Sequence, residues 1–307
     1  MTRVAAIDCG TNSIRLLVAD ATASGGDCGE LVELDRRMTI VRLGQGVDRT
    51  GRLAPEALER TFAACRAYAA VIEEFGAERV RFVATSASRD AENRDEFVRG
   101  VVDILGVEPE VITGDQEAEF SFTGATRELH ADGDYLVVDI GGGSTEFVVG
   151  SRRVRAARSV DVGCVRMTER HHPGDPATPE QIAAMRADIE AALDLAGQTV
   201  PLREPRTLVG LAGSVTTVAA IALGLPAYDS AAIHHSRIPY EDVKRVTERL
   251  LASTHEERTA IPVLHPGRID VIAAGALVLE AVMERTGASE VVVSEHDILD
   301  GIAWSIA

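Results

Sequence analysis

Apolar runs of two kinds alternate along this chain. Short runs rich in β-branched residues, bounded by glycine or polar residues, read as buried strands. Longer stretches with apolar residues at three- and four-residue spacing read as helices. One strand-type run ends at Asp8 and another starts past Gly10-Thr11-Asn12-Ser13; Leu31 to Leu43 reads as a further strand pair. Leu53 to Phe75 predicts a helix, with Pro55 in its first turn and Leu58, Phe62, Cys65, Ala69 and Ile72 on one face. Arg81 to Thr85 predicts a buried strand leading into a helix at Ser86, and Val111 to Thr113 a short strand leading into one at Gly114. Strands interleaved with helices mark an α/β layout.

The second half repeats the order. Tyr135 to Val149 reads as a hairpin and Arg153 to Val160 as its extension. Thr178-Pro179-Glu180-Gln181 has the form of a capping box, opening a helix whose core face is Ile182, Met185, Ile189 and Leu193. Leu208 to Ala212 predicts a strand turning into a helix at Gly213; Ile269 to Met283 is apolar nearly all round, as a buried helix is. Val291 to Ser294 is a last strand before a C-terminal helix, and Arg127 to Asp134 the crossover between halves. The halves are therefore read as 1–126, with 297–307 packing back on it, and 127–296.

The two hairpins are copies of one design. Asp8 falls on Asp139, Gly10 on Gly141, Ser13 on Ser144 and Val18 on Val149. Each has a strand ending in Asp, a turn of small residues and a second strand carrying a charge, Arg15 or Glu146. Such turns present backbone N–H groups to an anion, and Gly141, Gly142 and Gly143 are free to take φ > 0 and approach a phosphate closely. A merely structural turn needs neither the Asp nor the second charge. Two such turns predict a polyphosphate-bearing ligand held in a cleft between duplicated domains.

Composition sets the limits. The chain has 307 residues, 46% hydrophobic and 26% charged, as in a soluble globular protein of two domains. No run approaches a membrane span, and no cationic-plus-apolar leader opens the chain. Cys9, Cys28, Cys65 and Cys164 are scattered, without a CxxC pair, as reduced thiols of a cytoplasmic protein are; Cys9 reads as packing. A net charge of −17 excludes general nucleic-acid binding. A polyanion ligand then needs local arginines and a divalent cation.

Asp139 and Glu146 share one hairpin and suit Mg²⁺ or Mn²⁺ beside a phosphate; the alternative puts Glu146 in solvent. As bare residues, Glu117 and Arg89 are only an acid and a base near helix starts. Gly210 to Ser214 resembles a further phosphate turn in weak form, and Gly163-Cys164-Val165-Arg166 is weaker still. The pairs His171-His172 and His234-His235 lack zinc-site spacing and are not read as metal ligands. Neither a nucleophile elbow nor a Walker loop is present.

Taken together, Asp8 to Arg15 and Asp139 to Glu146 resemble the exopolyphosphatase/guanosine pentaphosphate phosphatase family, of the actin, sugar-kinase and chaperone ATPase superfamily. Thr85 to Asp90, Gly114 to Ala118, Gly210 to Thr217 and His265 to Gly275 extend the resemblance over essentially the whole chain. It implies two duplicated actin-like, ribonuclease H-like α/β domains with an interdomain cleft. It implies Glu117 as general base on the attacking water and Asp139 and Glu146 as carboxylates linked to Mg²⁺, with Mn²⁺ as an alternative. Thr11, Asn12, Ser13, Arg15, Arg89, Gly141, Gly142, Gly143, Ser144 and Arg268 then surround the phosphate chain. Gln116 stands where many relatives have a first glutamate, and Asp300 where many have an arginine before the glycine. Long relatives carry a further C-terminal helical domain, and this chain is read as a short form without it. The expected activity is exopolyphosphatase by in-line water attack, on short chains of inorganic polyphosphate, by a cytoplasmic homodimer with no nucleic-acid or membrane partner. The alternatives are a guanosine pentaphosphate phosphohydrolase and an actin-like ATPase or switch.

Overall fold

The computed structural model of the protein describes residues 2–22, 29–129, 133–171, 174–205 and 207–307. Cys28, His172 and part of the 127–134 crossover lie outside the described residues. The chain divides into two compact units, Met1–Gly124 with Ile298–Ala307, and Ala125–Asp297.

The first unit holds a five-stranded sheet in the order β3-β2-β1-β4-β5. The strands are β1 (Thr2–Cys9), β2 (Ser13–Thr22), β3 (Glu30–Ile40), β4 (Arg79–Ala84) and β5 (Glu110–Val111). β1, β2 and β3 form an antiparallel meander, and β4 and β5 add in parallel. Ala5, Ile7 and Cys9 pack on one face with Phe82, Tyr68 and Phe97, whereas Val4 and Ala6 pack on the other with Leu299, Ile302 and Ala303. Covering on both faces is why β1 reads as one apolar run without alternation. The second cover is the helix Ile298–Ser305, and a Cβ on its Gly301 would fall 2.0 Å from the Phe120 carbonyl oxygen. Only glycine permits that approach to the helix Gly114–Thr126.

The second unit holds a six-stranded sheet ordered β10-β11-β9-β6-β7-β8. Its strands are β6 (Tyr135–Ile140), β7 (Thr145–Gly150), β8 (Val154–Val160), β9 (Thr207–Leu211), β10 (Arg237–Pro239) and β11 (Glu290–Val293). Its run β8-β7-β6-β9-β11 repeats the order of the first sheet: an antiparallel meander, then parallel strands. The fold is α/β and actin-like in each half. The helix Pro179–Gly197 opens with the capping box expected of Thr178 and Gln181.

Three expectations change. Leu31 to Leu43 holds one strand, Glu30–Ile40, not a pair. Asp35-Arg36-Arg37 mimics a turn, but these residues pair with Leu16 to Val18 and stay extended at the sheet edge. The buried helix starts at Ile272, after a 3₁₀ turn over Pro266–Arg268. Gly141 lies outside the left-handed region that its turn was free to use. A turn closed by a strand-end hydrogen bond does not require that conformation.

Candidate active site

Both hairpin turns close the same way. The Gly10 N–H donates to the Ser13 carbonyl at 2.9 Å, and the Gly141 N–H to the Ser144 carbonyl at 3.0 Å. In each unit the chain that follows the third strand then returns and binds the turn's carbonyls. In the first, Gly44 N–H donates to Thr11 at 2.9 Å, and Val41 and Arg42 to Asn12 at 3.0 and 2.9 Å. In the second, Cys164 N–H donates to Gly141 at 3.0 Å, Val165 and Arg166 to Gly142 at 2.9 and 3.0 Å, and Arg166 Nε to Gly143 at 2.6 Å.

This capping has a consequence for charge. Across a trans peptide plane the N–H points opposite to the C=O. Carbonyls turned toward the capping segments therefore turn the N–H groups of Asn12 and Ser13, and of Gly142, Gly143 and Ser144, to the opposite side. Successive N–H groups facing one way form an anion nest. Gly142 is partly exposed while Gly143 and Ser144 are buried, so this nest is recessed.

The capping segments need glycine. A Cβ on Gly163 would lie 2.6 Å from the Gly142 carbonyl carbon and oxygen and 2.8 Å from the Gly141 oxygen. One on Gly44 would lie 2.3 Å from Thr11 Cγ2. Sequence alone marks Gly163 and Arg166 only as part of a weak motif and Gly44 not at all, because their partners are backbone atoms far away in the chain.

In the first unit Asp8 and Arg15 are cross-strand neighbours, and Arg15 donates to Asp8 Oδ2 from Nη2 at 2.6 Å and Nε at 3.0 Å. Arg15 is thus engaged by Asp8, which is 4% exposed. The Thr11 hydroxyl lies 2.8 Å from that of Ser86, at the start of the short helix Ser86–Asp90. On that helix Arg89 donates to the Ile112 carbonyl at 2.9 Å and meets Glu117 Oε2 at 3.3 Å. Glu117 is 8% exposed. Thr11, Ser86, Arg89 and Glu117 are so linked through the ends of β1, β4 and β5.

In the second unit the matching cross-strand pair is Asp139 and Glu146, two acids. Both are buried, Glu146 to 1% exposure, which removes the solvent-facing alternative. The Ser159 hydroxyl, one strand further, donates to Glu146 Oε1 at 2.7 Å. Like charges directly opposite on a sheet destabilise it. Where the first unit answers its Asp with an Arg, the second places two oxygen-donor acids, a set suited to a hard divalent cation.

The Gly210 to Ser214 segment carries strain. Ala212 has φ 65, in the left-handed region where non-glycine residues are uncommon. A Cβ on Gly213 would fall 1.1 Å from Arg268 Nη1, so the Arg268 guanidinium lies directly on this backbone, at the start of the helix Ala212–Ala222. Burial pushes the Cys164 thiol up, against opposing effects of the Ser214 hydroxyl and Arg268. Arg268 is therefore close to the helix Cys164–His171 that caps the Gly141–Gly143 turn. Cys9 is buried, and burial pushes its thiol well up, in keeping with a packing role.

His171 meets Asp188 at 3.1 Å. His234 and His235 stack at 3.7 Å between centroids. No helix among the described residues is long and apolar enough to cross a membrane.

A model of the Ppx/GppA phosphatase family matches residues 18–307. Exopolyphosphatase 2 of Mycobacterium tuberculosis is 52% identical over 100% of this chain and 99% of that protein. The guanosine-5'-triphosphate,3'-diphosphate pyrophosphatase of Aeromonas salmonicida is 27% identical over 98% of this chain and 59% of that protein. Among solved structures, the Aquifex aeolicus Ppx/GppA family member superposes with TM-score 0.83 at 32% identity, covering 99% of this chain and 97% of that one. An exopolyphosphatase from Cytophaga hutchinsonii superposes with TM-score 0.89 at 25% identity, again covering 99% and 97%.

Proposed function

The chain belongs to the Ppx/GppA phosphatase family, and from that membership we propose that it is an exopolyphosphatase, releasing terminal orthophosphate from short-chain inorganic polyphosphate. The observation that carries this reading is 52% identity to an exopolyphosphatase along the full length of both chains.

In the proposed reaction a water oxygen attacks the terminal phosphorus, the bridging P–O bond breaks, and the shortened chain leaves as the anion. Glu117 accepts the water's proton. Its contact with Arg89, itself held by the Ile112 carbonyl, fixes the direction of its carboxylate. The N–H groups of Asn12, Ser13, Gly142, Gly143 and Ser144 and the side chains of Thr11 and Arg268 bind phosphate oxygens and stabilise the charge that grows on them. Arg15 acts through Asp8, setting the first turn. Asp139 and Glu146 would hold Mg²⁺, or Mn²⁺. The bound cation would offset charge on the transferred and leaving phosphates.

The preference for short chains rests on charge. With a net charge of −17, each phosphate held beyond the terminal few would need its own positive partner. The proposal includes a cytoplasmic homodimer with no nucleic-acid or membrane partner.

A guanosine pentaphosphate phosphohydrolase is the second reading, supported by the 27% identity to the Aeromonas protein. Membership of a phosphatase family weighs against an ATPase switch. Phosphate release with Mg²⁺ from tripolyphosphate, long polyphosphate, guanosine pentaphosphate and ATP, measured side by side, tests the choice. The expected order of kcat/KM per chain end places tripolyphosphate first. Preference for guanosine pentaphosphate would reverse the two readings, and a large advantage for long chains would overturn the short-chain part.

A further inference from the structure

We propose that Glu128, His234 and His296 form a second divalent-cation site, separate from Asp139 and Glu146 and built for a borderline first-row metal such as Zn²⁺. Glu128 Oε2 lies 3.5 Å from His234 Nε2 and 3.3 Å from His296 Nδ1. All three donor atoms fall within 4.8 Å of one another. Tetrahedral zinc with bonds of about 2.0–2.2 Å holds its donors roughly 3.3–3.6 Å apart. Two edges of the triangle already have that spacing.

The same distances are poor for hydrogen bonds, which weaken beyond about 3.2 Å. His234 Nε2 is a buried nitrogen with no hydrogen-bond partner among the described residues. It lies 3.5 Å from the carboxylate, too far off to bond it well. An ion between them would satisfy the nitrogen and neutralise the acid together.

The fold supplies the support. β11 ends at Val293, whose carbonyl accepts from the His235 N–H at 2.7 Å. His235, at φ 60, stacks its ring on His234 and so fixes the plane of that ligand. The Ser294 N–H donates to Gly210 at 3.0 Å and ties the loop bearing His296 to the end of β9. Glu128 is half-exposed, which gives the ion an entry and leaves its fourth position to water or a substrate oxygen. β6, β9 and β11 are neighbours, so the site lies on the order of 10 Å from Asp139 along the carboxyl edge of the sheet, the edge where ligands bind in such folds.

One rearrangement is required. His234 Nδ1 accepts from the Glu295 N–H at 3.2 Å, so the metal-free ring carries its proton on Nε2. Loading moves that proton to Nδ1 and gives up the Glu295 contact. Nitrogen donors select zinc over magnesium. Of the adjacent pair His234-His235 the proposed site uses only His234, and its other donors come from distant positions.

Titration of the metal-stripped full chain with Co²⁺, followed by its visible ligand-field absorption, tests the site. We expect one saturable site with the strong bands of low coordination, displaced by Zn²⁺. His296→Gln and Glu128→Gln should each weaken it at least about 10-fold, because loss of even a supporting partner costs that much. Thermal unfolding of each metal-free variant checks that it folds. Asp139→Ala should keep those strong bands at the parent's Co²⁺ affinity. Absence of saturable absorption, or unchanged affinity in folded His296→Gln, would overturn the proposal, and loss in Asp139→Ala would overturn the separateness. Phosphate release is not the readout, so failure here is distinguishable from failure of the exopolyphosphatase reading.

Discussion

Adding one methyl group at Gly163 should disable the proposed phosphate turn without touching any charged residue. A Cβ there would sit 2.6 Å from the Gly142 carbonyl carbon and oxygen. Nonbonded carbon contacts settle at about 3.5–4.0 Å, so turn and helix must part by roughly 1 Å. No side-chain rotamer can absorb the clash, because every close atom is backbone. The same carbonyls accept from Cys164, Val165 and Arg166, so separation stretches the bonds that turn the nest's N–H groups outward. A displacement of about 1 Å at a reacting centre can cost roughly 10²-fold in rate, and overpacking costs about 1–3 kcal/mol in stability. For Gly163→Ala we expect kcat/KM for tripolyphosphate to fall about 10²-fold and Tm to fall by several degrees. Gly197→Ala is the control, since its Cβ would meet only Leu202 Cδ1 at an ordinary 3.7 Å. Phosphate release and thermal unfolding of both variants decide the matter. If Gly163→Ala matches Gly197→Ala in turnover and Tm, the capping argument fails.

Other expected outcomes follow from the same geometry. Gly44→Ala should lose less activity than Gly163→Ala, because its 2.3 Å clash is with a side-chain methyl of Thr11; equal losses in parallel assays would count against this. Glu117→Gln should cut kcat about 10²–10⁴-fold with substrate binding nearly kept, and near-normal turnover would remove it as the base. Asp139→Ala and Glu146→Ala should raise the Mg²⁺ concentration for half-maximal rate, with a smaller rise in Ser159→Ala, which frees Glu146 Oε1 of its 2.7 Å donor. A metal dependence unchanged in all three would cancel the assignment. Burial raises the Cys65 thiol to about 12, with Arg66 opposing. Its folded value exceeds its unfolded one, so its contribution to stability is whole below about pH 9 and is lost as pH rises toward 12. Tm should therefore decline less steeply above pH 9 in Cys65→Ala than in the parent, and identical slopes would refute the linkage.

The chain's own pattern determines a great deal here. The duplicated hairpins, the α/β layout and the positions of most elements follow from local rules: period, turn chemistry and capping, as at Thr178 and Gln181. Asp139 and Glu146 were legible as a pair because a hairpin sets its own register, and a register between adjacent strands is a local property. Glu117 and Arg89 were not legible from residue type, since an acid and a base near two helix starts say nothing of each other. Only the parallel joining of β4 and β5 brings them to 3.3 Å. Glu30–Ile40 misled in the other direction, because an edge strand faces solvent and loses the apolar alternation by which strands are recognised. Gly44 and Ser159, the capping role of Gly163 and Arg166, and the meeting of Glu128 with His234 and His296 belong to the tertiary structure. Their partners are backbone carbonyls, or side chains from distant segments, that sequence spacing does not bring together. Short-range periodicity is written in the sequence because each residue's neighbours are fixed by the covalent chain. Which carbonyl a returning segment will cap, and which carboxylate will face which imidazole, is settled only when whole elements pack.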